Sequence, residues 1–238
     1  MAKRKMNLTK LDIIQTATRF FIEYGYSNTS PKMICNELQI SPGSLTYYFP
    51  TKEDLLAVLI EILAGFQWKL VKNIVEEGET PISALCFELT AMAAMCEEDE
   101  IARDLYISAY TNVKPLTIIR KTDAKRAKEV FKEFCSDWSD EMFAEAETMV
   151  SGIEYATLMV TEDSAPLEVR IAGAMNNILN IYGVPEDRRK MKIEKALNLD
   201  YRKFGKEVLD DFKKYVLEIT EQNIINLALN KEVNFFDI

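Results

Sequence analysis

Residues 29–49 read TSPKMICNELQISPGSLTYYF, and this stretch contains two helix start signals separated by a tight break. In Ser30-Pro31 and again in Ser41-Pro42, a hydroxyl that can cap a helix precedes a proline. Proline suits the first helical position because the N–H that it lacks has no partner there. Gln39-Ile40 lies between the two segments and breaks the first helix. The stretch therefore predicts two short helices that meet across a turn of about three or four residues.

A longer helix is predicted before this pair and another after it. Apolar residues recur at steps of three and four between residues 11 and 24, and the pattern stops near Gly25. Downstream, Thr51-Lys52-Glu53-Asp54 resembles a capping box and opens an apolar helix that runs to about Val75. These boundaries predict an N-terminal three-helix domain at 1–56 and a larger domain at 57–238, with the helix at 51–75 as the connector.

The rest of the chain has helical periodicity throughout, with no strand-like alternation and no internal repeat. Breaks fall at Pro115, at Pro166, at residues 183–185 and at residues 198–200. Helices are predicted over residues 82–97, 101–110, 116–135, 140–161, 167–182, 186–197 and 201–230. We therefore predict an all-α fold, in which a three-helix helix-turn-helix domain precedes a larger helical bundle.

The net charge of −9 conceals an asymmetry along the 238 residues. Residues 1–50 contain six Lys or Arg and three Asp or Glu, a balance of +3, which leaves −12 for the other 188 residues. A basic end on an acidic body is typical of a protein that presents one face to phosphate and repels it elsewhere. Charge therefore favours nucleic acid as a partner of the N-terminal domain.

The composition excludes several kinds of chemistry. There is no histidine, and the four cysteines form no CxxC pair, which argues against zinc fingers, His-based triads and two-His metal sites. We expect no cofactor, no metal and no catalytic residue. The cysteines, interpreted as buried thiols in a reducing compartment, are Cys35, Cys86, Cys96 and Cys135. No apolar run reaches the roughly 20 residues that cross a bilayer, and no cleavable leader is evident, so we expect a cytoplasmic protein without a membrane partner.

A helix-turn-helix lays its second helix in the major groove, where the outward side chains meet base edges. Leu45, Tyr48 and Phe49 are predicted to face inward. The outward set of that helix is then Pro42, Gly43, Ser44, Thr46 and Tyr47. Backbone N–H groups at the helix starts are expected to bind phosphate oxygens, and nearby lysines add charge. The residues concerned are Ser30, Ser41, Thr51, Lys32 and Lys52. Two short capped helices also occur in bundles that do not bind DNA, so periodicity alone leaves both interpretations open.

The combined string resembles the N-terminal domain of the TetR family of transcriptional regulators over about 47 residues, from Lys10 to Leu56. The matching positions are Ile14, Ala17, Phe21, Gly25-Tyr26, Thr29-Ser30, Ile34, Ile40-Ser41-Pro42-Gly43-Ser44-Leu45, Tyr48-Phe49 and Thr51-Lys52-Glu53-Asp54-Leu55-Leu56. So many matches at fixed spacing are far more specific than a generic helix-turn-helix pattern.

The resemblance implies roles for individual residues of the N-terminal domain. Lys52 would contact phosphate from the start of the fourth helix, and Lys32 would approach DNA from the second. The residues implied at the groove are Pro42, Gly43, Ser44 and Tyr47. Two positions depart from the family pattern: Thr46 replaces a tyrosine that touches the DNA backbone, and Cys35 replaces an alanine. The first change weakens the backbone contact or transfers it to Tyr47, whereas the second alters packing.

For the larger domain, the resemblance implies a homodimer formed by the late helices and an internal cavity for a small effector. Small residues in the helices at 140–161 and 167–182 allow close helix approach and support the dimer, whose alternative is a monomeric bundle core. An apolar effector pocket is predicted from Met92, Met95, Tyr106, Tyr110, Trp138, Met142 and Tyr155. The same residues at helical spacing are also compatible with an ordinary core.

Three classes of function follow. The leading hypothesis is a homodimeric repressor that binds a palindromic operator in double-stranded DNA and is released by a small-molecule effector. The alternative is a DNA-binding protein of the same fold that has an architectural role or a protein partner, and a fully packed body would favour it. The third class, a helical enzyme, would require a buried, convergent carboxylate pair, because Glu145, Glu147 and Glu154 are interpreted as solvated residues of a helix. The segment at 186–238 is interpreted either as a further layer on the dimer or as a lid over the pocket.

Overall fold

The computed structural model describes the backbone of residues 2–218 and the side chains of residues 10–216. This part of the chain is entirely helical, as predicted, with eleven helices and no strand. The helices are α1 (Ala2–Tyr24), α2 (Pro31–Leu38), α3 (Pro42–Tyr48), α4 (Lys52–Glu76), α5 (Pro81–Glu98), α6 (Glu100–Thr111), α7 (Val113–Val130), α8 (Asp140–Leu158), α9 (Leu167–Ile181), α10 (Glu186–Leu197) and α11 (Tyr201–Glu218). The predicted continuation of the last helix to residue 230 lies outside the described residues. Within them, no helix combines the length and apolarity needed to cross a bilayer.

The boundaries of two predicted helices are wrong. α7 begins at Val113 instead of residue 116, because Pro115 occupies its first turn, where amides need no partner inside the helix. It ends at Val130, and the chain then turns through residues 131–134 instead of remaining helical to residue 135. α8 ends at Leu158 instead of residue 161. There, a turn closed by the Thr161 amide on Ser164 Oγ at 2.8 Å takes the chain out of the helix.

Two hydrophobic cores organise the molecule. The first core joins α1–α3 to the body of the protein, because α4 carries one apolar face from Leu55 to Phe66 past α1, α5, α6 and α11. The second core lies among α5, α7, α8, α9 and α10, with Phe131 and Tyr182 stacked at a centroid distance of 4.0 Å. We call α1–α3 with the first two turns of α4 the head, and the remainder the body. The four cysteines are buried free thiols, as predicted.

The described part of the C-terminal segment forms a layer over α5. A Cβ atom added at Gly205 of α11 would lie 2.9 Å from the backbone oxygen of Ala91, so only glycine allows this close approach. From there, the apolar face of α11 brings Val208 and Phe212 into the first core. α11 therefore closes one side of the body.

Candidate functional site

The turn between α2 and α3 has the geometry of a helix-turn-helix. Gln39 ends α2 with φ of 52°, a left-handed conformation that reverses the chain within a few residues. Ser30 Oγ caps α2 by accepting from the Met33 amide at 3.3 Å, and Ser41 Oγ caps α3 by accepting from the Ser44 amide at 3.1 Å. Both caps that the sequence predicts are therefore present.

The inward and outward faces of α3 are those that the spacing of its apolar residues predicts. Leu45 and Phe49 are buried and Tyr48 is half-buried against the first core. On the outer face, Tyr47 is 72% exposed and packs edge to face on Tyr48 at 5.0 Å. The other predicted contact residues on this face are Ser41, Pro42, Gly43 and Thr46, which are exposed, and Ser44, which is half-buried. Their contact with DNA remains a prediction.

Two hydroxyl-bearing residues of the head are committed to backbone interactions. Thr46 Oγ1 donates to the oxygens of Pro42 and Gly43 at 3.1 and 3.3 Å, so this short side chain is folded back on its own helix. The Thr51 amide donates to Asp54 Oδ2 at 2.8 Å within a capping box. The expectation that the Thr51 amide binds phosphate is therefore wrong, because its hydrogen is already used.

The two lysines predicted to contact phosphate differ in their surroundings. Lys32 is exposed at the start of α2. Lys52 is half-buried, with Nζ 4.0 Å from the ring centroid of Tyr26, and burial lowers the pKa of its ammonium while Asp104 opposes that shift. Lys52 therefore holds the loop before α2 in addition to any contact with DNA.

The head is attached to the body at two polar points. Asp104 of α6 accepts from the amide of Ser27 at 2.8 Å and from its hydroxyl. The amide of Lys114, at the start of α7, donates to Glu53 of α4 at 2.7 Å, while its ammonium pairs with Asp54. Helices α6 and α7 therefore hold the loop after α1 and the start of α4.

Three neighbouring cavities lie inside the body. The α11-side cavity is lined by residues such as Leu63, Phe66, Met92, Met95, Tyr106 and Phe212. The central cavity is lined by residues such as Ile60, Met92, Tyr106, Tyr110, Asp123 and Arg126. The α9-side cavity is lined by residues such as Leu89, Arg126, Phe131, Glu147, Ile178 and Tyr182. The central cavity shares lining residues with each of the other two, so the three form a row across the body.

The predicted pocket residues divide into two groups. The group that lines the α11-side or central cavity comprises Met92, Met95, Tyr106 and Tyr110. The other three residues lie outside the linings of the three cavities. Met142 is 46% exposed, Trp138 packs on Phe143 and Tyr182 in the second core, and Tyr155 lies behind Tyr110 at a ring distance of 6.5 Å. Apolar composition at helical spacing did not separate a cavity wall from a core or a surface.

Buried charges also line the central and α9-side cavities, and sequence reasoning missed them. Arg126 Nη1 donates to both carboxylate oxygens of Glu88 at 3.0 and 3.1 Å, and its Nη2 lies 3.1 Å from Asp123. Glu154 Oε2 accepts from the Tyr110 hydroxyl at 2.7 Å, and Glu147 accepts from the Tyr182 hydroxyl. We call these four acids and the arginine the buried charged cluster; its members are Glu88, Asp123, Arg126, Glu147 and Glu154.

The interpretation of Glu147 and Glu154 as solvated residues is wrong, whereas Glu145 is exposed as expected. The sequence contained a signal for this difference. Both glutamates fall on the apolar stripe of α8, at steps of four, three, four and four from Phe143 through Val150 to Leu158. Burial raises the pKa of Glu154 well above its usual range and that of Glu147 to about 8, with Asp123 adding to both shifts.

The two capped helices, the turn between them and the exposed face of α3 form a helix-turn-helix domain. Residues 13–59 match the family described as bacterial regulatory proteins, tetR family. This segment therefore carries the N-terminal domain of that family, as the resemblance of residues 10–56 predicted.

Two relatives are named as transcriptional regulators, and one solved structure shares the fold. An uncharacterised HTH-type transcriptional regulator of Bacillus subtilis (strain 168), YuxN, is 35% identical over 80 residues, which cover 34% of this chain and 28% of YuxN. The HTH-type transcriptional regulator HbdR of Aromatoleum sp. (strain CIB) is 32% identical over 111 residues, 46% of each chain. The chain thus aligns with less than half the length of these relatives. The ligand-free crystal structure of RolR superposes with a TM-score of 0.59 at 18% identity, over 79% of this chain and 96% of RolR, and shows the shared fold.

Proposed function

We propose that this protein is a homodimeric repressor, which binds a palindromic operator and releases it when a small molecule occupies the cavities of the body. One observation carries the proposal: the helices that wall the cavities also hold the DNA-reading head. Tyr106 and Tyr110 of α6 and Arg126 of α7 line the central cavity, whereas Asp104 of α6 and Lys114 of α7 bind the head. Movement of either helix would displace the head.

The size of the cavities supports coupling between ligand binding and helix movement. The α11-side and central cavities each have a volume of about 30 Å³, and the α9-side cavity about 20 Å³. A water molecule needs roughly 10–15 Å³ of such volume, so each cavity accepts about two waters. A ligand of several heavy atoms must therefore separate the surrounding helices. It shifts the population towards a form with a displaced head only if it binds that form more tightly.

The outer faces of α8 and α9 support the homodimer. Met149 and Val169 are more than half exposed on these two helices. Gly152 and Gly173 lie on the same exposed faces, and a Cβ atom at either position would have nothing within 4 Å in the single chain. Apolar side chains beside small residues allow helices to approach closely, so α8 and α9 of two subunits would form a four-helix interface.

The enzyme hypothesis depends on a convergent pair of carboxylates, and the buried charged cluster does bring carboxylates together. Each of them already has a partner: Arg126 for Glu88 and Asp123, and a tyrosine hydroxyl for Glu147 and Glu154. Glu147 and Glu154 are seven residues apart on α8, which separates their backbones by about 10 Å along the axis. A cluster of this kind suits the binding of a charged ligand, and residues 13–59 match a family of regulators.

DNA binding is tested by fluorescence anisotropy with a duplex from the DNA that flanks the gene for this protein. We expect Tyr47→Ala to weaken operator binding by about tenfold or more, a loss of about 1.4 kcal/mol, because the exposed ring meets the groove or the backbone. The matched control is Met191→Ala, which truncates an exposed side chain on α10. Failure to prefer any sequence after selection from random duplexes would refute the repressor.

The dimer is tested by sedimentation at micromolar concentration. The wild type should have the mass of two chains. Met149→Glu should reduce it to one chain, because a charge in an apolar interface is costly to bury. Met191→Glu, on α10, serves as the control and should leave the mass unchanged. A wild-type mass of one chain, both free and on operator DNA, would contradict the homodimer.

A further inference from the structure

The buried charged cluster has an excess of negative groups. Four carboxylates line the central cavity, the α9-side cavity or both. Among the described residues that line these two cavities, Arg126 is the one basic residue. Its guanidinium is used by Glu88 and Asp123, which hold three of its contacts at 3.0–3.1 Å. Glu147 and Glu154 are left with hydroxyl donors alone. A buried carboxylate is normally paired with a cation, so Glu147 and Glu154 lack the cation that would favour their ionised form.

Glu147 also has an unsatisfied oxygen. The residue is 3% exposed, and its Oε1 accepts from the Tyr182 hydroxyl. Its Oε2 is buried and has no hydrogen-bond partner among the described residues. Because buried polar atoms are nearly always satisfied in native proteins, this atom indicates a place where a donor binds. The atom belongs to a residue that lines the α9-side cavity, so we place the donor in that cavity.

The apolar residues that line the two cavities indicate the chemistry of the rest of the ligand. Leu89, Phe131 and Ile178 line the α9-side cavity, and Leu89 also lines the central cavity beside Met92. These walls fit an apolar or aromatic group and exclude a strongly hydrated one. A calcium ion requires about six to eight oxygen ligands, whereas Glu147 and Glu154 are the two carboxylates that Arg126 does not hold. The site therefore matches an organic cation better than a metal ion.

We infer that the effector is an ammonium or amidinium compound with an apolar body, whose cationic end donates to Glu147 Oε2 while its body extends past Leu89 towards the central cavity. The inference rests on the proposed function, in which these cavities receive the effector. Glu154, two turns further along α8, and Asp123 offer further hydrogen-bond acceptors along this path. An anionic compound would oppose the ionisation of Glu147, and a neutral one would leave that carboxyl protonated.

Proton release provides a specific signature of such binding. Burial raises the pKa of Glu147 to about 8, with Asp123 adding to the shift and Tyr182 and Arg126 opposing it, so the carboxyl is mostly protonated at neutral pH. A bound cation favours the carboxylate form and lowers that pKa. Glu147 must then give its proton to the buffer when the ammonium compound binds. An alcohol that takes the same place would leave the proton where it is.

The experiment is calorimetric titration of the full chain without DNA. The cationic probes are phenethylammonium and hexylammonium, and the neutral counterparts of the same size are 2-phenylethanol and 1-hexanol. We expect at least one ammonium probe to bind about tenfold or more tightly than its alcohol. Its heat should depend on the ionisation enthalpy of the buffer in the sense of proton release. Equal affinity for ammonium and alcohol, no binding of either ammonium probe, or binding of Ca²⁺ at this site instead would overturn the inference.

Two variants locate the effect. Glu147→Gln should lose about tenfold or more of the ammonium affinity and all of the proton release attributed to this residue. Glu145→Gln, exposed on the same helix, should keep both. The far-UV circular dichroism of both variants should match that of the wild type, which shows that the variant proteins are folded. Unchanged affinity in Glu147→Gln would refute the assignment. Ammonium binding by a protein with no preference for any DNA sequence would refute the repressor and leave the cation site intact.

Discussion

The head and the body differ in the exposure of the polar residues that we propose to bind ligands. On α3 of the head, Tyr47 is 72% exposed, whereas in the body Glu147 and Glu154 are only 3% and 7% exposed. An exposed residue can change with little effect on folding, because its surroundings are water in both states. A buried charge affects stability and ligand binding together. When no ligand is bound, the protein itself must offset the cost of removing that charge from water.

This difference separates two kinds of functional site. In the head, two serine caps and a left-handed Gln39 shape a surface that presents its contacts to solvent. In the body, helices that are distant in sequence bring carboxylates around one guanidinium. We therefore expect substitutions in the buried charged cluster to change the free energy of unfolding by several kcal/mol, and substitutions on the outer face of the head to change DNA affinity alone.

The largest effect is expected from Arg126→Ala. This change leaves the buried Glu88 and the half-buried Asp123 without their cation, and breaking a buried ion pair from one side costs about 3–5 kcal/mol. Chemical denaturation at neutral pH measures the loss. The neighbouring exposed residue provides the control, since Lys125→Ala should stay within about 0.5 kcal/mol of the wild type. A loss below about 1 kcal/mol for Arg126→Ala would show that the cluster is not electrostatically coupled.

Glu147→Gln should change how stability depends on pH. The folded protein raises the pKa of Glu147 from an ordinary 4.5 to about 8, so it favours the protonated carboxyl. The stability due to this proton is fully present below pH 4.5 and is lost as the pH rises through about 8. The wild type should lose a few kcal/mol across this interval, and the Gln variant should lose less and be the more stable protein above it.

Denaturation at a series of pH values checks this prediction. Glu145→Gln should follow the wild-type curve, because Glu145 is exposed. Glu88, Asp123 and Glu154 also have raised pKa values, so part of the slope remains in the Gln variant. An unchanged slope in Glu147→Gln would mean that its carboxyl titrates like one in water.

The head could be predicted from the sequence because its determinants are local. A cap and a proline start each short helix within two residues, and the inward set of α3 follows from spacing within seven. The same local logic failed at Pro115, which was interpreted as a break although the first turn of a helix accepts proline. It also did not account for the hydrogen bond that the Thr51 amide donates to Asp54.

The body was less predictable because its site depends on contacts between distant residues. Arg126 and Glu88 are 38 residues apart in sequence, and Tyr182 and Glu147 are 35 apart. Periodicity assigned helices to this region, but it could not show which helices meet. Even so, the two glutamates on the apolar stripe of α8 were visible in the sequence, and a charged residue in register with Phe143 and Val150 predicts a buried partner.

A smaller effect is expected at the junction of head and body. Gly25 has φ of 88°, and a Cβ atom there would lie 2.8 Å from Asp104 Oδ2, the oxygen that binds the Ser27 amide. Gly78 has a similar φ of 103° with nothing within 4 Å, so Gly78→Ala isolates the cost of the backbone conformation, about 1–2 kcal/mol. Gly25→Ala should cost about 1 kcal/mol more in denaturation, because the contact with Asp104 must also move. Equal losses would show that Asp104 does not fix the head.

The smallest effect on stability is expected at Lys32, where the contrast between head and body is sharpest. Lys32→Ala removes an exposed ammonium at the start of α2, so the free energy of unfolding should change by less than about 0.5 kcal/mol. The affinity of this variant for DNA should fall equally for all sequences. The slope of log affinity against log salt should decrease by about 1, because one phosphate contact is lost. Lys125→Ala should leave that slope unchanged. A stability loss in Lys32→Ala comparable to that of Gly25→Ala would mean that the head, like the body, couples its binding surface to folding.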